Sequence, residues 1–215
     1  MDRQIESEIE TIHSSREDRI RIGVYASIAR SWIPVFIREF REREPGIVLD
    51  VKVGGMEEIY NWLYTGVIDI GFLSRSKKFS CDFIPLAEDP NFAVFPSTFP
   101  LEGKTTFPVK DLGDLPFIMP SFGGNRDVQT VLDENGVVPR KHTVNADDST
   151  ILSMVASGLG VSVFSQLVLD GNMENIQMLP LSPPSCRVLG MAVMTLRDIR
   201  PTQAEFIAYV KNKKL

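Results

Sequence analysis

The fold is decided by residues 47–74, IVLDVKVGGMEEIYNWLYTGVIDIGFLS, which change from one kind of regular structure to the other. Residues 47–53 read as a strand whose odd positions face inward, and a double glycine ends it. A helix from about Met56 to Thr65 follows, with Gly66 at its C′ position, and then comes the nearly continuous apolar run VIDIGFL. Two strands separated by a helix of this length need a crossover, so we expect a mainly parallel sheet with helices on its faces.

The same alternation extends in both directions along the chain. Towards the N-terminus it begins with the strand RIRIGVYA and the helix SWIPVFIREFRERE, in which Pro34 requires a start near Ser31 or a locally bent first turn. Towards the C-terminus come two short strand-like runs, FIPLAED and NFAVFP, and a first boundary near residue 88. A second α/β series follows, with strands PFIMP, KHTVN and LGVSVFS and helices RDVQTVLDENG and DSTILSMVASG that each end at a glycine. The fold class predicted from this order is α/β with two Rossmann-like lobes.

Residues 1–20 form a segment of their own. Ile5, Ile9 and Ile12 make one apolar stripe on an otherwise charged short helix, and the segment contains more acids than bases. Such a helix is neither a basic arm for DNA nor a membrane helix. A connector between domains is the favoured interpretation, and a frayed tail is the alternative.

Composition excludes several classes of function. With 215 residues and a net charge of −5, the chain lacks the positive field that holds a nucleic-acid backbone, so we expect no DNA binding by this chain alone. No secretory leader is evident and no run approaches a membrane span, which predicts a cytoplasmic protein without a membrane partner. Two cysteines and two histidines supply neither a disulfide framework nor a hydrolytic triad. We therefore predict reduced thiols, no metal, no cofactor and no enzymatic activity.

Candidate site residues are those that follow the strands. Open parallel sheets bind ligands beyond the carboxyl ends of their strands, where hydroxyls and unpaired backbone N–H groups suit a polar or anionic small molecule. The positions selected in this way are Tyr25, Ala26, Ser27, Ile28, Met56 and Ser74 in the first lobe and Pro120, Ser121, Phe122 and Asn125 in the second. Each of Ser27, Ser74 and Ser121 alone is more often a helix cap or a side-chain turn than a ligand contact, but three serines at strand ends in two lobes favour a site.

Other polar features have simpler interpretations. Asp147 and Asp148 precede a helix and are expected to be its N-cap and a first-turn charge. Arg126 could bind a ligand carboxylate, and an ion pair within the protein is an equal alternative. Gly123-Gly124 has no phosphate-loop pattern around it, and His142 has no ligand at metal spacing.

The order of these segments resembles a known family. The segments PGIVLDVKVGG, TGVIDIGF and VASGLGVSVF, in this order and spacing, are similar to the effector-binding domain of LysR-type transcriptional regulators. The resemblance covers residues 20–213. It implies a fold like the type 2 periplasmic binding proteins, with two lobes joined by two crossover strands and a small effector in the cleft. On this chain, residues 21–87 plus 190–215 would form lobe one and residues 88–189 lobe two, after the remnant of a linker helix in residues 1–20.

The resemblance also implies partners and a site. The same strand-end positions would contact the effector, and Ser27 matches the first-turn hydroxyl common in the family, whereas the apolar Ala26 and Ile28 favour an effector with an apolar part. A homodimer using helix faces such as residues 31–43 is implied, with DNA contacted only through an N-terminal winged helix-turn-helix that this chain lacks.

Two other classes of function remain open at this point. A solute-binding protein of an uptake transporter would share the fold, and a leader peptide or lipidated cysteine would distinguish it. An enzyme on the same scaffold would need a positioned acid, base or cofactor attachment, whereas the candidate residues supply hydroxyls and amides.

Overall fold

The computed structural model describes residues 19–101, 103–120, 125–171 and 174–214, and gives only the backbone for Asn125 and residues 141–143. The predicted connector therefore lies outside the described residues except for its last two positions. The strands are β1 (Arg19–Val24), β2 (Val48–Val53), β3 (Ile70–Ser74), β4 (Asp82–Pro96), β5 (Phe107–Pro108), β6 (Pro116–Pro120), β7 (Arg140–Val144), β8 (Ser162–Ser165), β9 (Ile176–Ser182) and β10 (Cys186–Val193). The helices are α1 (Ala26–Ser31), α2 (Ile33–Arg43), α3 (Met56–Tyr64), α4 (Asn125–Glu134), α5 (Asp148–Ala156), α6 (Gln166–Leu169) and α7 (Pro201–Lys211).

The chain folds into two compact units. One contains the described residues up to Ala87 together with Leu189 onward, and the other is Glu88–Val188. The strands β4 and β10 contribute residues to both units and are neighbours in the order of strands. The first unit is therefore built from two separated stretches of sequence, and the second is inserted between them.

The first unit has a sheet in the order β2-β1-β3-β10. Strands β2 and β3 both pair in parallel with β1, as the crossover argument requires, and β10 pairs antiparallel with β3. Helix α3 packs closely on this sheet because two strand positions are glycine. A Cβ atom at Gly71 would lie 2.8 Å from the side chain of Ile59, and one at Gly23 would lie 3.3 Å from the same side chain.

An aromatic cluster joins helices α2 and α7 in the core of the first unit. Phe40 packs edge to face on Phe206 with ring centroids 5.0 Å apart, and Phe36 lies 5.9 Å from Phe72 of β3. All four side chains are buried. The helix that Pro201 opens therefore buries Phe206 as its sequence pattern predicts.

Three features of strands β2 and β4 and helices α1 and α2 differ from the sequence prediction or make it more specific. The odd positions of β2 lie on the same side of the sheet as the buried Ile22 and Val24 of β1, but Val51 and Val53 are exposed because β2 is at the edge of the sheet that the described residues form. The predicted helix over residues 31–44 has a bend before it, and Trp32 separates α1 from α2 in the way that Pro34 demands. The two strand-like runs after residue 82 form the single fifteen-residue strand β4.

The strands of the second unit have helices on both faces. Strand β4 pairs antiparallel with β8 and β9, while β6 pairs in parallel with β7 and bridges to Val161 through Phe117. One face carries α4 over alternate strand residues that include Ala93, Phe117 and Val163. The other face carries α5 and α6 over the intervening residues, which include Ile118 and Phe164.

The helix ends behave as the sequence predicts. Gly66, Gly136 and Gly158 have φ values of 70°, 65° and 79°, which side chains with a Cβ rarely adopt. At the start of α5, Asp147 Oδ1 accepts a hydrogen bond of 2.8 Å from the backbone N–H of Thr150. The interpretation of Asp147 as an N-cap is thereby confirmed.

Candidate functional site

The carboxyl ends of β1, β2 and β3 meet at one edge of the first unit's sheet. Because the three strands are parallel, Tyr25, Gly54 and Ser74 come together there even though they are distant in sequence. The backbone N–H of Tyr25 donates to the carbonyl of Phe72 over 3.0 Å, and that of Gly54 donates to the carbonyl of Val24 over 3.1 Å. These bonds fix the positions at which the chain leaves each strand.

Two hydroxyl side chains form the polar centre of this edge. Tyr25 Oη lies 3.3 Å from Ser74 Oγ, and both residues are buried, with 5% and 1% of their surface exposed. Either hydroxyl can be the donor in this contact. The structure therefore brings together two of the predicted site residues from opposite ends of the β1 to β3 segment.

The turn into α1 presents its residues unequally. Ala26 is exposed, whereas the side chain of Ile28 is fully buried in the core. Ser27 is buried, and its carbonyl accepts a hydrogen bond of 2.9 Å from Ser31 Oγ. Of these three predicted contacts, Ile28 is placed as a core residue whose side chain anchors the helix.

Met56 begins α3 directly after the double glycine of β2. The N–H of Gly55 donates to Glu58 Oε2 over 2.9 Å, which closes the first turn of the helix. A Cβ atom at Gly54 would lie 2.5 Å from the ring of Trp62, so only glycine lets the strand end pack against that indole. Met56 itself is buried, with 4% of its surface exposed.

The second unit supplies the end of β6 and the start of α4. Pro120 ends β6 and is buried. Ser121 and Phe122 lie outside the described residues, and Asn125 is described only as the first backbone position of α4. Arg126 follows it in the first turn of the helix.

A buried ion cluster in the second unit has no counterpart among the predicted site residues. Arg187 of β10 donates from Nε to Asp89 Oδ2 over 2.8 Å and from Nη1 to Asp127 Oδ2 over 2.9 Å. Asp89 lies on β4, and its other oxygen accepts the N–H of Leu167 over 3.0 Å. The cluster thus ties together β4, β10 and the first turn of α4.

The electrostatics of this cluster favour the charged guanidinium. Burial opposes the charge on Arg187, but the nearby carboxylates of Asp127 and Asp89 outweigh burial and raise the pKa of the guanidinium. The side chain of Arg187 is 8% exposed and that of Asp89 is 5% exposed. Water cannot screen such a pair as it screens an exposed one, so these contacts are strong and geometrically demanding.

Neither a metal site nor a membrane-spanning helix is present in the described parts of the chain. No group of three or more histidine, cysteine, aspartate or glutamate side chains there has the arrangement of a metal site. None of the described helices combines the length and the apolar character needed to cross a bilayer.

The comparison with protein families decides the classification. Residues 13–214 match the family described as the LysR substrate binding domain. The chain belongs to this family. The resemblance inferred from the three sequence segments is confirmed.

Curated relatives of this LysR domain are regulators from several bacteria. The chain is 25% identical over 194 residues to the uncharacterised HTH-type transcriptional regulator YvbU of Bacillus subtilis, covering 89% of this chain and 66% of that protein. It is 25% identical over 169 residues to the HTH-type transcriptional regulator CysL of the same organism, covering 77% of this chain and 56% of CysL. The chain thus spans two thirds or less of these relatives, which are transcriptional regulators and not transporter components.

Solved structures confirm the fold class. The regulatory domain of CcmR from Synechocystis PCC6803, solved in complex with 2-PG, is 25% identical with a TM-score of 0.80 and covers 90% of this chain and 95% of that chain. The effector-binding domain of QuiR, solved with shikimate, has a TM-score of 0.79 at 19% identity and covers 92% and 99% of the two chains. Two Rossmann-like lobes of the type 2 periplasmic-binding-protein kind are therefore the architecture of this LysR domain.

Sequence reasoning missed the Arg187 cluster in this LysR domain. Arg187 lies 98 residues from Asp89 and 60 from Asp127, so no local spacing connects them. The one local signal was a charged residue within the apolar strand CRVLGMAV, which a buried strand tolerates only with partners.

Proposed function

We propose that this chain is the effector-sensing domain of a LysR-type transcriptional regulator and that it binds a small polar or anionic molecule without converting it. The observation that carries the proposal is the buried Tyr25–Ser74 hydroxyl pair at the carboxyl edge of three parallel strands. Ligands of open α/β sheets bind at this edge. A related regulatory domain of similar fold was solved with 2-PG, which supports a small acid as the kind of ligand.

Each unit has its own proposed contacts. In the first unit they are Tyr25, the exposed turn at Ala26, the buried Ser27 and Ser74, and Met56, with Ile28 holding the turn from the core side. In the second unit they are the segment from Pro120 to Asn125, including Ser121 and Phe122. Hydroxyl groups next to apolar side chains suit a molecule with oxygen substituents on a compact carbon skeleton.

Signal transmission follows from differential affinity. An effector that binds one conformation of the chain more tightly than another shifts the population towards it, and couplings of this kind amount to about 1–3 kcal/mol. We propose that a homodimer passes this bias to DNA-binding segments that belong to the full regulator and lie outside this chain. Such a regulator acts in the cytoplasm, where its operator is, and needs no cofactor.

The first test is ligand binding to the purified chain. Thermal shift and calorimetry with 2-PG, shikimate, aromatic acids and amino acids should identify a ligand that raises the unfolding temperature, because binding to the native state alone stabilises it. Ser74→Ala should weaken that ligand about 10-fold, the cost of roughly one hydrogen bond. Ser153→Ala is the matched control, since Ser153 is an exposed serine on α5 bonded only within its helix.

The second test uses the full-length regulator. Its footprint on its operator should change when the ligand is added, and NMR should recover the ligand chemically unchanged after long incubation. An identical footprint with every ligand that binds, or turnover of the ligand, would remove the regulatory proposal.

A further inference from the structure

Four buried polar residues of the second unit lie close to the start of α4. They are Asp89, Asn91, Ser165 and Arg187, all 9% exposed or less. Along β4 and β8, Ala93 and Val163 face α4, and strand alternation places Asp89, Asn91 and Ser165 on the same face. Asn91 is also directly paired with Ser165 across the two strands.

This polar patch lies at the edge of the sheet where α4 begins. The segment leading into β8 runs parallel to β6, with Val161 opposite Phe117. Their carboxyl ends therefore lie at the same edge, β8 ending at Ser165 and β6 at Pro120. Helix α4 follows β6, so its first turn, with Asp127 bonded to Arg187, lies over this end of the patch.

Three of the four side chains have clear partners. Asp89 and Arg187 bind each other, and Asn91 donates from Nδ2 to Ser185 Oγ over 3.1 Å while its backbone N–H donates to the Ser185 carbonyl. These contacts hold β4 and β10 together and fix the wall of the patch.

The hydroxyl of Ser165 has no hydrogen-bond partner among the described residues, although the residue is only 5% exposed. Ser165 is the N-cap of the short helix α6, where a serine ordinarily accepts an N–H bond from the first turn. Here Asp89 Oδ1 takes the N–H of Leu167 instead. The carboxylate of Asp89 therefore caps the helix in place of Ser165. The buried hydroxyl of Ser165 is left without a hydrogen bond, and this destabilises the ligand-free protein.

We infer that Ser165 is an effector-binding residue of the second unit, whose hydroxyl donates to a hydroxyl or carboxylate oxygen of the ligand. The inference rests on the proposed function and extends its site to the end of β8. Asp89 and Arg187 act as positioning residues, because they occupy the capping bond and hold the first turn of α4 without needing to touch the ligand.

The test compares three serine variants in unfolding and binding. Ser165→Ala should leave the unfolding temperature of the ligand-free chain unchanged or raise it, because it removes an unsatisfied polar group. Ser162→Ala, the control, should lower it, because Ser162 is fully buried and donates to the Ile118 carbonyl over 2.8 Å. With 2-PG and shikimate as probes, Ser165→Ala should weaken binding about 10-fold, while Ser165→Thr, which keeps the hydroxyl, should stay within about threefold of wild type.

The outcomes separate this inference from the function itself. If Ser165→Ala lowers the unfolding temperature as Ser162→Ala does, the hydroxyl has a structural partner and the inference is wrong. If a probe binds wild type and Ser165→Ala equally, the inference is wrong and the proposed function stands. If neither probe binds wild type, those ligands are removed from the proposed function, and crystals of the chain soaked in formate decide about Ser165. Formate at Ser165 Oγ supports the inference, and a fixed water or an empty position there contradicts it.

Discussion

At the scale of single residues, the buried charges of the second unit depend on one another. Arg187 forms ion pairs with both Asp89 and Asp127, which are 5% and 15% exposed at their side chains. A buried ion pair is often no more stable than an apolar substitute, but removal of one partner leaves the others uncompensated. The ion pairs of Arg187 therefore add little net stability compared with an apolar substitute. Removal of the guanidinium alone, however, would leave the buried carboxylates without their compensating charge and would destabilise the fold.

We predict that Arg187→Met destabilises the chain by about 3–5 kcal/mol, since the buried carboxylates of Asp89 and Asp127 would lose the guanidinium that both contact. Urea unfolding followed by circular dichroism measures this change. Arg140→Met on β7 is the control, because Arg140 is exposed and its loss should change the free energy of unfolding by less than about 0.5 kcal/mol. Equal stability of the two variants would show that the cluster is relaxed by water.

The candidate site residues of the first unit could be predicted from the sequence, because a general rule about parallel sheets gives their positions. Parallel strands end at a common edge, so Tyr25 and Ser74 could be assigned to one site from the strand pattern alone. Ser165 could not be predicted as a site residue, because a serine that precedes a helix ordinarily caps that helix. The competition from Asp89 depends on a tertiary contact between residues 78 positions apart.

At the scale of elements, alternation alone could not tell an edge strand from a central one. Both β1 and β2 carry apolar residues at every second position, yet Ile22 is fully buried and Val53 is 55% exposed. The difference comes from neighbours, since β1 pairs on both sides and β2 on one. Strand order is a property of the whole sheet, so the burial of residues 47–53 could not be read from that segment.

The start of β3 is fixed to β1 and α7 by Asp69. Its carboxylate accepts from Arg21 Nη2 over 2.8 Å and from the Arg21 backbone N–H over 2.8 Å, and Arg200 lies 3.2 Å away. Burial alone would raise the pKa of Asp69, but the hydrogen bonds and charge of Arg21 outweigh it and lower the pKa below the usual 3.8.

We therefore predict an acid-dependent contribution to stability from Asp69. Because the pKa is lower in the folded state, the contribution is complete above the unfolded pKa and is lost as pH falls through the folded value. Asp69→Asn should cost about 1–3 kcal/mol at pH 7 and should flatten the decline in stability below about pH 4. Unfolding free energies from pH 2.5 to 7 test this, with Asp50→Asn as the control because the Arg19–Asp50 pair is exposed. A parallel decline in wild type and Asp69→Asn would contradict the assignment.

At the scale of the whole molecule, we expect the exposed face of α2 to form the contact of the proposed homodimer. A groove there is lined by Ala29, Ile33, Pro34, Ile37, Arg38, Arg41 and Glu42. Ile37→Glu should convert the dimer to a monomer in light scattering, because a charge buried in an apolar contact is costly. Tyr64→Glu, at an 80% exposed position on α3, should leave the dimer intact. A wild-type chain that is monomeric at all concentrations would disprove the dimer.

The discontinuous make-up of the first unit has a consequence for synthesis on the ribosome. Strand β10 and helix α7, which complete its sheet and cover Phe36, Phe40 and Phe72, are made only after all of residues 88–188. Until then, the N-terminal strands carry an open hydrogen-bonding edge and an uncovered aromatic surface, the features that make nascent chains associate. Premature termination anywhere before Phe206 would therefore leave the first unit incomplete, although most of its strands precede residues 88–188 in the chain.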